Sequence, residues 1–318
     1  MELIHVRIVV PPTLTEPVVE LLSADRHVFN VVVAPAAARD PAGDALECDI
    51  MKGGANSVLG ALRELGVEDA GSIAIDEVDM TFSQRMERIE AEEPGAFLHS
   101  PLWVSVEAHI RNEGTYQPSF YLFLVIAGLI GAVGIMSNSQ ILIVAAMVVG
   151  PEYSAITSVA LALDRHNRLR VLDGLRALTL GFSLAIVASL AFSLLSRAGG
   201  FQSRAFELGL RPVSNLIDTP NFFSFVVAVL AGIVGIVSLT EARASALLGV
   251  FISVTTIPAA SDVAVSIAYG SWHEAWGSFL QLLLNVVTLV IVGVLALRGQ
   301  RRLWRRAARR AAERPGRA

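Results

Sequence analysis

Six apolar stretches, at about 119–136, 139–163, 173–196, 222–240, 244–269 and 275–297, dominate the chain after its first hundred residues. Each is near or above the roughly 20 residues that a helix needs to cross a hydrocarbon layer. Lipid offers no partner to a bare N–H or carbonyl, so such stretches must fold as helices that satisfy their own backbone. With 53% hydrophobic and 17% charged residues and a mean hydropathy of +0.58, an ordinary soluble globule is excluded. The expectation is a polytopic α-helical membrane domain over residues 118–297.

Within it a motif recurs. Ala127-Gly128-Leu129-Ile130-Gly131 precedes Pro151-Glu152 by 20 residues, and Ala231-Gly232-Ile233-Val234-Gly235 precedes Pro258 by 23. Six spans put the two copies into the bilayer from opposite sides, which predicts inverted three-helix repeats. Such repeats build a site near mid-membrane from interrupted helices. The unequal spacing predicts imperfect symmetry. Gly128, Gly131 and Gly134, with Gly232 and Gly235, form small-residue stripes that allow close helix packing.

The polar residues near the prolines are harder to assign to packing. Glu152 stands midway in a hydrophobic run, where a lone charge costs several kcal/mol and is usually paired, protonated or functional. Gly150-Pro151 interrupts the helix there, because proline lacks an N–H and clashes with the preceding turn. The second copy has Ser253, Thr255 and Thr256 before Pro258, then Asp262, and Asn285 lies midway along the last span. These residues, with Asn138 at the turn between the first two spans, are the expected substrate or ion pathway, the two acids acting as proton or cation groups. Structural hydrogen bonding that stabilises two kinked helices is the competing reading. No catalytic residues, metal ligands or cofactor signature are expected.

Residues 1–81 read as a separate domain. Ile4–Val10 alternates as a strand, Thr15–Ser23 as a short helix, Val28–Val33 as a second strand and Leu46–Met51 as a third. Ala34–Ala45 is expected to be a turn or irregular hairpin. Ala55–Leu65 follows as a helix, and Ser72–Val78 as a last strand. The order βαββαβ is that of a ferredoxin-like α+β sandwich. Gly53-Gly54 could offer backbone N–H groups to an anion, but an ordinary cap at Asn56 or Ser57 is the simpler expectation. Asp76, Glu77 and Asp79 could grip a cation or merely form a solvated strand end. Residues 82–117 are expected to be a linker with either an interfacial helix anchored by Trp103 or a packed soluble helix. The lone Cys48 excludes an internal disulfide.

Charge sets the expected orientation. Residues 1–95 carry 18 acids against 7 bases, while nine arginines fall between Arg298 and Arg317. Met1-Glu2-Leu3-Ile4 has neither a basic start nor a long apolar run, so targeting is expected from the later segments. Arg165, His166, Arg168 and Arg170, then Arg243, then the 298–318 tail fall on one side of a six-span chain. The positive-inside rule makes that side cytoplasmic, together with both termini. Arg197, Arg204 and Arg211 weaken the contrast without reversing it. In the tail, Trp304, Arg305 and Arg306 are expected to meet anionic lipid headgroups. Basic residues beside a membrane span need no nucleic acid to explain them.

Three motifs, Met147-Val148-Val149-Gly150-Pro151-Glu152, Thr255-Thr256-Ile257-Pro258-Ala259-Ala260 and Gly277-Ser278-Phe279-Leu280-Gln281-Leu282-Leu283-Leu284-Asn285, resemble a prokaryotic membrane family. It is known as domain of unknown function 389 (DUF389), or uncharacterised hydrophobic proteins, and the resemblance covers about 118–297. It implies a membrane location and brings no established activity. The expected function is therefore a transporter or channel for a small polar solute or ion. The alternative is a membrane sensor or scaffold with a ligand-binding cytoplasmic domain. Membrane lipids, a small polar solute or cation and further copies of the chain are the expected partners.

Overall fold

A computed structural model describes residues 3–78, 81, 83–92, 101–201, 217–240 and 255–312. The chain divides into two units, residues 1–106 with 301–318, and residues 107–300.

In the first unit, β1 (Leu3–Val10) alternates sides, so Ile4, Val6, Ile8 and Val10 lose all contact with solvent. It pairs antiparallel with β3 (Ala42–Met51) and β4 (Ser72–Val78), and β3 pairs antiparallel with β2 (Val28–Arg39). The sheet order is β2-β3-β1-β4. Helices α1 (Pro12–Ala24) and α2 (Lys52–Glu64) contribute Val18, Leu22, Val58, Leu59 and Leu62 to one core. A short α3 (Val67–Ala70) leads into β4, and α4 (Gln84–Glu92) adds Met86 to a smaller cluster with Leu3, Phe29 and Met51.

Two local expectations change. The stretch 34–45 is the irregular hairpin expected, turning at Asp40-Pro41 with a register shift between Ala34 and Ala38, but β2 and β3 extend through it and are longer than their β-branched residues suggest. Alanine-rich sequence carries little strand signal, and Pro35 is tolerated because β2 is an edge strand. Asp44 holds the irregular part: its Oδ1 accepts from the Ala36 N–H at 2.7 Å and its Oδ2 from the Thr15 hydroxyl at 2.6 Å. Helix α2 begins at Lys52, and neither Asn56 nor Ser57 caps it. Asn56 instead donates to the Pro101 carbonyl at 2.9 Å and accepts from the Trp103 N–H at 3.1 Å. That bridge fixes the start of α5 (Trp103–Glu113), whose Val104 packs with Leu102 on the sheet core. The Trp103 ring also lies under the Arg301 guanidinium, 5.3 Å from its centroid.

The second unit is helical. It comprises α6 (Pro118–Met136), α7 (Gln140–Val149), α8 (Glu152–Asp164), α9 (Arg168–Gly199), α10 (Phe222–Thr240), α11 (Thr256–Ala268) and the membrane-spanning part of α12 (Trp272–Ala312). Among the described residues, α6, α9, α10 and α12 are long and apolar enough to cross a membrane, and α7 with α8, bent by 48° at their break, form either a broken fifth span or a re-entrant loop. This is a multi-pass membrane protein. The long helices leave Leu122, Leu180, Leu195, Phe223, Leu230 and Leu295 exposed, as lipid contact requires.

The two short helices behave differently. From Glu152 to Ala162 only Ser154 of α8 is less than fully buried, and in α11 only Ile267 escapes burial. A helix apolar or small on every face belongs inside a bundle. Residues 241–254, which include Ser253, lie outside the described residues.

Candidate functional site

Pro151 ends one helix and begins another. It takes φ −92°, ψ 9° as the N-cap of α8, so Glu152 becomes the first helical residue. In α11 the N-cap is Thr255 and Pro258 is the third residue, where first-turn N–H groups have no intrahelical partner to lose. Both prolines therefore lie at helix starts inside apolar segments. The two starts meet: Thr256 Oγ1 donates to Glu152 Oε1 at 2.6 Å across 104 positions of sequence. Glu152 is 7% exposed, and its Oε2 has no hydrogen-bond partner among the described residues. That oxygen curls over Gly150, where a Cβ would collide with it and would sit 2.8 Å from Ile257 Cγ1.

A polar ladder runs from this junction between α11 and α12. Asn285 Nδ2 donates to Thr255 Oγ1 at 3.0 Å, and Gln281 Nε2 donates to Asn285 Oδ1 at 3.2 Å. Ser278 Oγ donates to Asp262 Oδ2 at 2.6 Å. Ser278, Gln281, Asn285 and Thr288, all buried, follow the three- and four-residue spacing of one helix face. Asp262 sits six residues beyond Thr256, about 9 Å along α11. The two acids thus occupy different places, Glu152 at the start of α11 and Asp262 at its middle. Asn138 lies in the left-handed turn before α7, at φ 52°, about 15 Å of helix away from Glu152.

Contacts around the junction come in matched pairs. Gly128 of α6 packs on Ala185 and Ser189 of α9; Gly232 of α10 packs on Leu289 and Val292 of α12. Gly131 of α6 packs on Ser261 of α11, and Gly235 of α10 on Tyr153 of α8. Near the far ends, Arg197 of α9 donates to the Ala268 carbonyl of α11 at 2.5 Å, while Arg298 of α12 donates to Asp164 of α8 at 2.9 Å. Gly174 of α9 accommodates Tyr116, just before α6, and Gly277 of α12 accommodates Asp218, just before α10. Gly134 serves a local purpose, letting α6 approach Ile143 at the start of α7.

A cavity of about 490 Å³ reaches the helix break. Pro151 and Ser154 take part in a largely apolar lining with Phe120, Phe123, Val148, Val149 and Leu239, and Asn112, Thr115, Gln117 and Ser119 supply neutral polar groups. Its described lining includes no charged side chain.

The segment that holds this junction is also what links the chain to known proteins. The chain contains a DUF389 domain at residues 147–291. The matching model is that of a domain of unknown function, and it takes in α8, α11 and the ladder face of α12. An uncharacterized protein of Methanocaldococcus jannaschii is 20% identical over 223 residues, which cover 70% of this chain and 66% of that relative, just under two thirds of its length. No solved structure matches.

Sequence reasoning singled out Glu152, Thr255, Thr256, Asp262 and Asn285 within the DUF389 domain. Thr256 is brought to Glu152, Asn285 to Thr255, and Asp262 to Ser278. Gln281 and Ser278 were not singled out as site residues. Their signal was present as a period-3/4 polar face in an otherwise apolar helix, but it shows only when Ser278, Gln281, Asn285 and Thr288 are taken together.

Proposed function

We propose that this membrane protein is a transporter or channel for a small polar solute or ion. Its passage runs past the junction of α8 and α11. One observation carries the reading: two buried half-helices meet inside the apolar unit on a carboxylate that has one oxygen without a partner among the described residues. Polar backbone ends and a carboxyl group are expensive in such surroundings, and in membrane proteins they gather where a solute passes.

The reading includes inverted three-helix repeats, α6–α9 and α10–α12. The matched contacts support it. In each half the first glycine meets its own third helix, the second glycine meets the other half's short helix, and an arginine at the end of the third helix clasps the other half's short helix. The N-terminal unit is read as ferredoxin-like, supported by βαββαβ order and an all-antiparallel β2-β3-β1-β4 sheet. Within 118–297, Thr255, Thr256, Asn285 and Gln281 would line the passage, with Ser253 upstream and Asn138 at its outer mouth. The basic loops support a prokaryotic inner-membrane location with both termini cytoplasmic, and the exposed Arg305 and Arg306 would meet lipid headgroups beside Trp304. Self-association into a homo-oligomer completes the reading.

Purified protein in sealed liposomes, screened for efflux of small ions and polar solutes, tests this. Flux is expected, and Glu152→Gln should alter it while leaving the protein monodisperse. Equal leakage from protein-containing and empty liposomes for every solute overturns the reading.

A further inference from the structure

Resting on that reading, we infer that the permeant class is a small monovalent anion, which takes the place of the Glu152 carboxylate between the starts of α8 and α11. Both helices are 13 residues long, and their first residues, Glu152 and Thr256, are in direct contact. A helix start carries about half a positive charge, so two converging starts present about one. One carboxylate cancels that. With Glu152 ionised and in place, the junction has no net field to draw in a cation. Once the carboxylate is protonated or swings out, it becomes a vacant seat for one negative charge.

The donors agree with this sign. The Thr256 hydroxyl points its hydrogen at Glu152 Oε1, and helix starts aim N–H groups outward by construction. A divalent cation would favour a second carboxylate beside Glu152. Among the described residues, no group of three His, Cys, Asp or Glu side chains could hold a metal ion, and Asp262 lies about 9 Å along α11.

Glu152 itself is the second observation. It is 93% buried by its 7% exposure, and its Oε2 lacks a partner among the described residues, so the side chain is tethered through one oxygen only. The cavity that takes in Pro151 and Ser154 gives a solute an uncharged, largely apolar approach to the start of α8. An anion that arrives with one proton, the proton going to the Glu152 carboxylate, leaves the junction's total charge unchanged. The step is electroneutral.

Other titratable or charged groups on the surrounding helices are few. Tyr153 follows Glu152 on α8 and Asp164 ends that helix, where Arg298 binds it; Asp262 is on α11, and α6 carries only the Tyr121 phenol. Helices α7 and α10 carry none, α9 none between Arg176 and Arg197, and α12 none between Glu274 and Arg298. Glu152 is therefore the group whose protonation would gate the seat.

The test uses full-length protein in liposomes, with chloride, nitrate, sodium and potassium fluxes measured from pH 5 to 8. Wild-type chloride and nitrate flux should rise as pH falls, up to about tenfold per unit while Glu152 is mostly ionised, because each anion needs one proton. Glu152→Gln should pass anions without pH dependence and without proton movement. Thr256→Val, which removes the hydroxyl donor from the seat, should lower anion flux and weaken bromide stabilisation while keeping the pH dependence, and serves if the Glu152 variant fails to fold. Bromide should raise the thermal midpoint of Glu152→Gln, and of wild type only at low pH. Glu152-dependent sodium or potassium flux without anion flux overturns the anion assignment and leaves passage standing. Bromide stabilisation with no flux keeps the anion seat and overturns passage. Neither flux nor bromide stabilisation overturns both.

Discussion

Asp44 and Glu152 are two carboxylates with nearly the same cover, 8% and 7% exposed, and each accepts a threonine hydroxyl at 2.6 Å. They differ in the second oxygen. Asp44 uses it to hold the Ala36 N–H at 2.7 Å, whereas Glu152 Oε2 holds nothing among the described residues. A carboxylate gripped at both oxygens is a staple. One gripped at a single oxygen, between two helix starts, has less to hold it in place. The contrast separates burial from bonding: acids with similar exposure are held at both oxygens in one unit and, among the described residues, at one oxygen in the other.

In the N-terminal unit the largest stability effect should come from the staple. Asp44→Ala removes acceptors from both Thr15 and Ala36, ungluing the irregular stretch of β2 from α1, and should lower the first thermal transition of the full-length protein by several degrees. Glu152→Gln retains an oxygen for Thr256 and should leave the midpoint nearly unchanged while transforming flux. Thermal scans that rank the two variants the other way break the comparison.

A methyl group at Gly150 probes how loosely Glu152 is held. Its backbone tolerates alanine, with φ −70°, but the new Cβ would meet both Glu152 Oε2 and Ile257. Gly150→Ala should cost about 1–3 kcal/mol, as overpacking typically does. Adding Glu152→Ala should recover part of that loss, since the two substitutions share one space. Additive losses in a denaturant-midpoint cycle would mean that Oε2 is not where the strain arises. A smaller effect, about 1 kcal/mol, is expected for Ser278→Ala, which removes one hydroxyl from Asp262 while leaving the junction itself intact.

Much of this arrangement was legible in sequence because physics leaves few choices in an apolar environment. Runs of about 20 apolar residues must be helices, and Gly150-Pro151 had to interrupt one of them. The pairing of Glu152 with Thr256 was not legible, because 104 residues intervene and neither carries a local signal for the other. The recurring Ala-Gly-x-x-Gly motif pointed only to the region. In the N-terminal unit, alternation located β1, whereas alanines 36 to 38 hid half of β2, since a methyl group is compatible with strand, turn or helix. Asn56 was misjudged for a similar reason: its partners, Pro101 and Trp103, are remote in sequence, and a nearby helix start offered a simpler role.

The gentlest perturbation that sharpens the comparison is acid. The Thr15 hydroxyl, and after it the Ala36 N–H, hold the Asp44 carboxyl below the ordinary carboxylate value of 3.8. Because the folded value lies below the unfolded one, Asp44 adds stability that is fully present above pH 3.8 and disappears as pH falls through the folded value. Asp25 behaves in the same direction, chiefly through its hydrogen bond with the His27 side chain, so acid weakens this unit from two places. The difference between wild type and Asp44→Asn isolates one of them. Below pH 3.8 the two stability curves should converge, because protonation has already taken from the wild type the charge that the variant lacks. A gap that stays constant into strong acid would show that Asp44 acts through shape and packing, and the staple would then owe nothing to its charge.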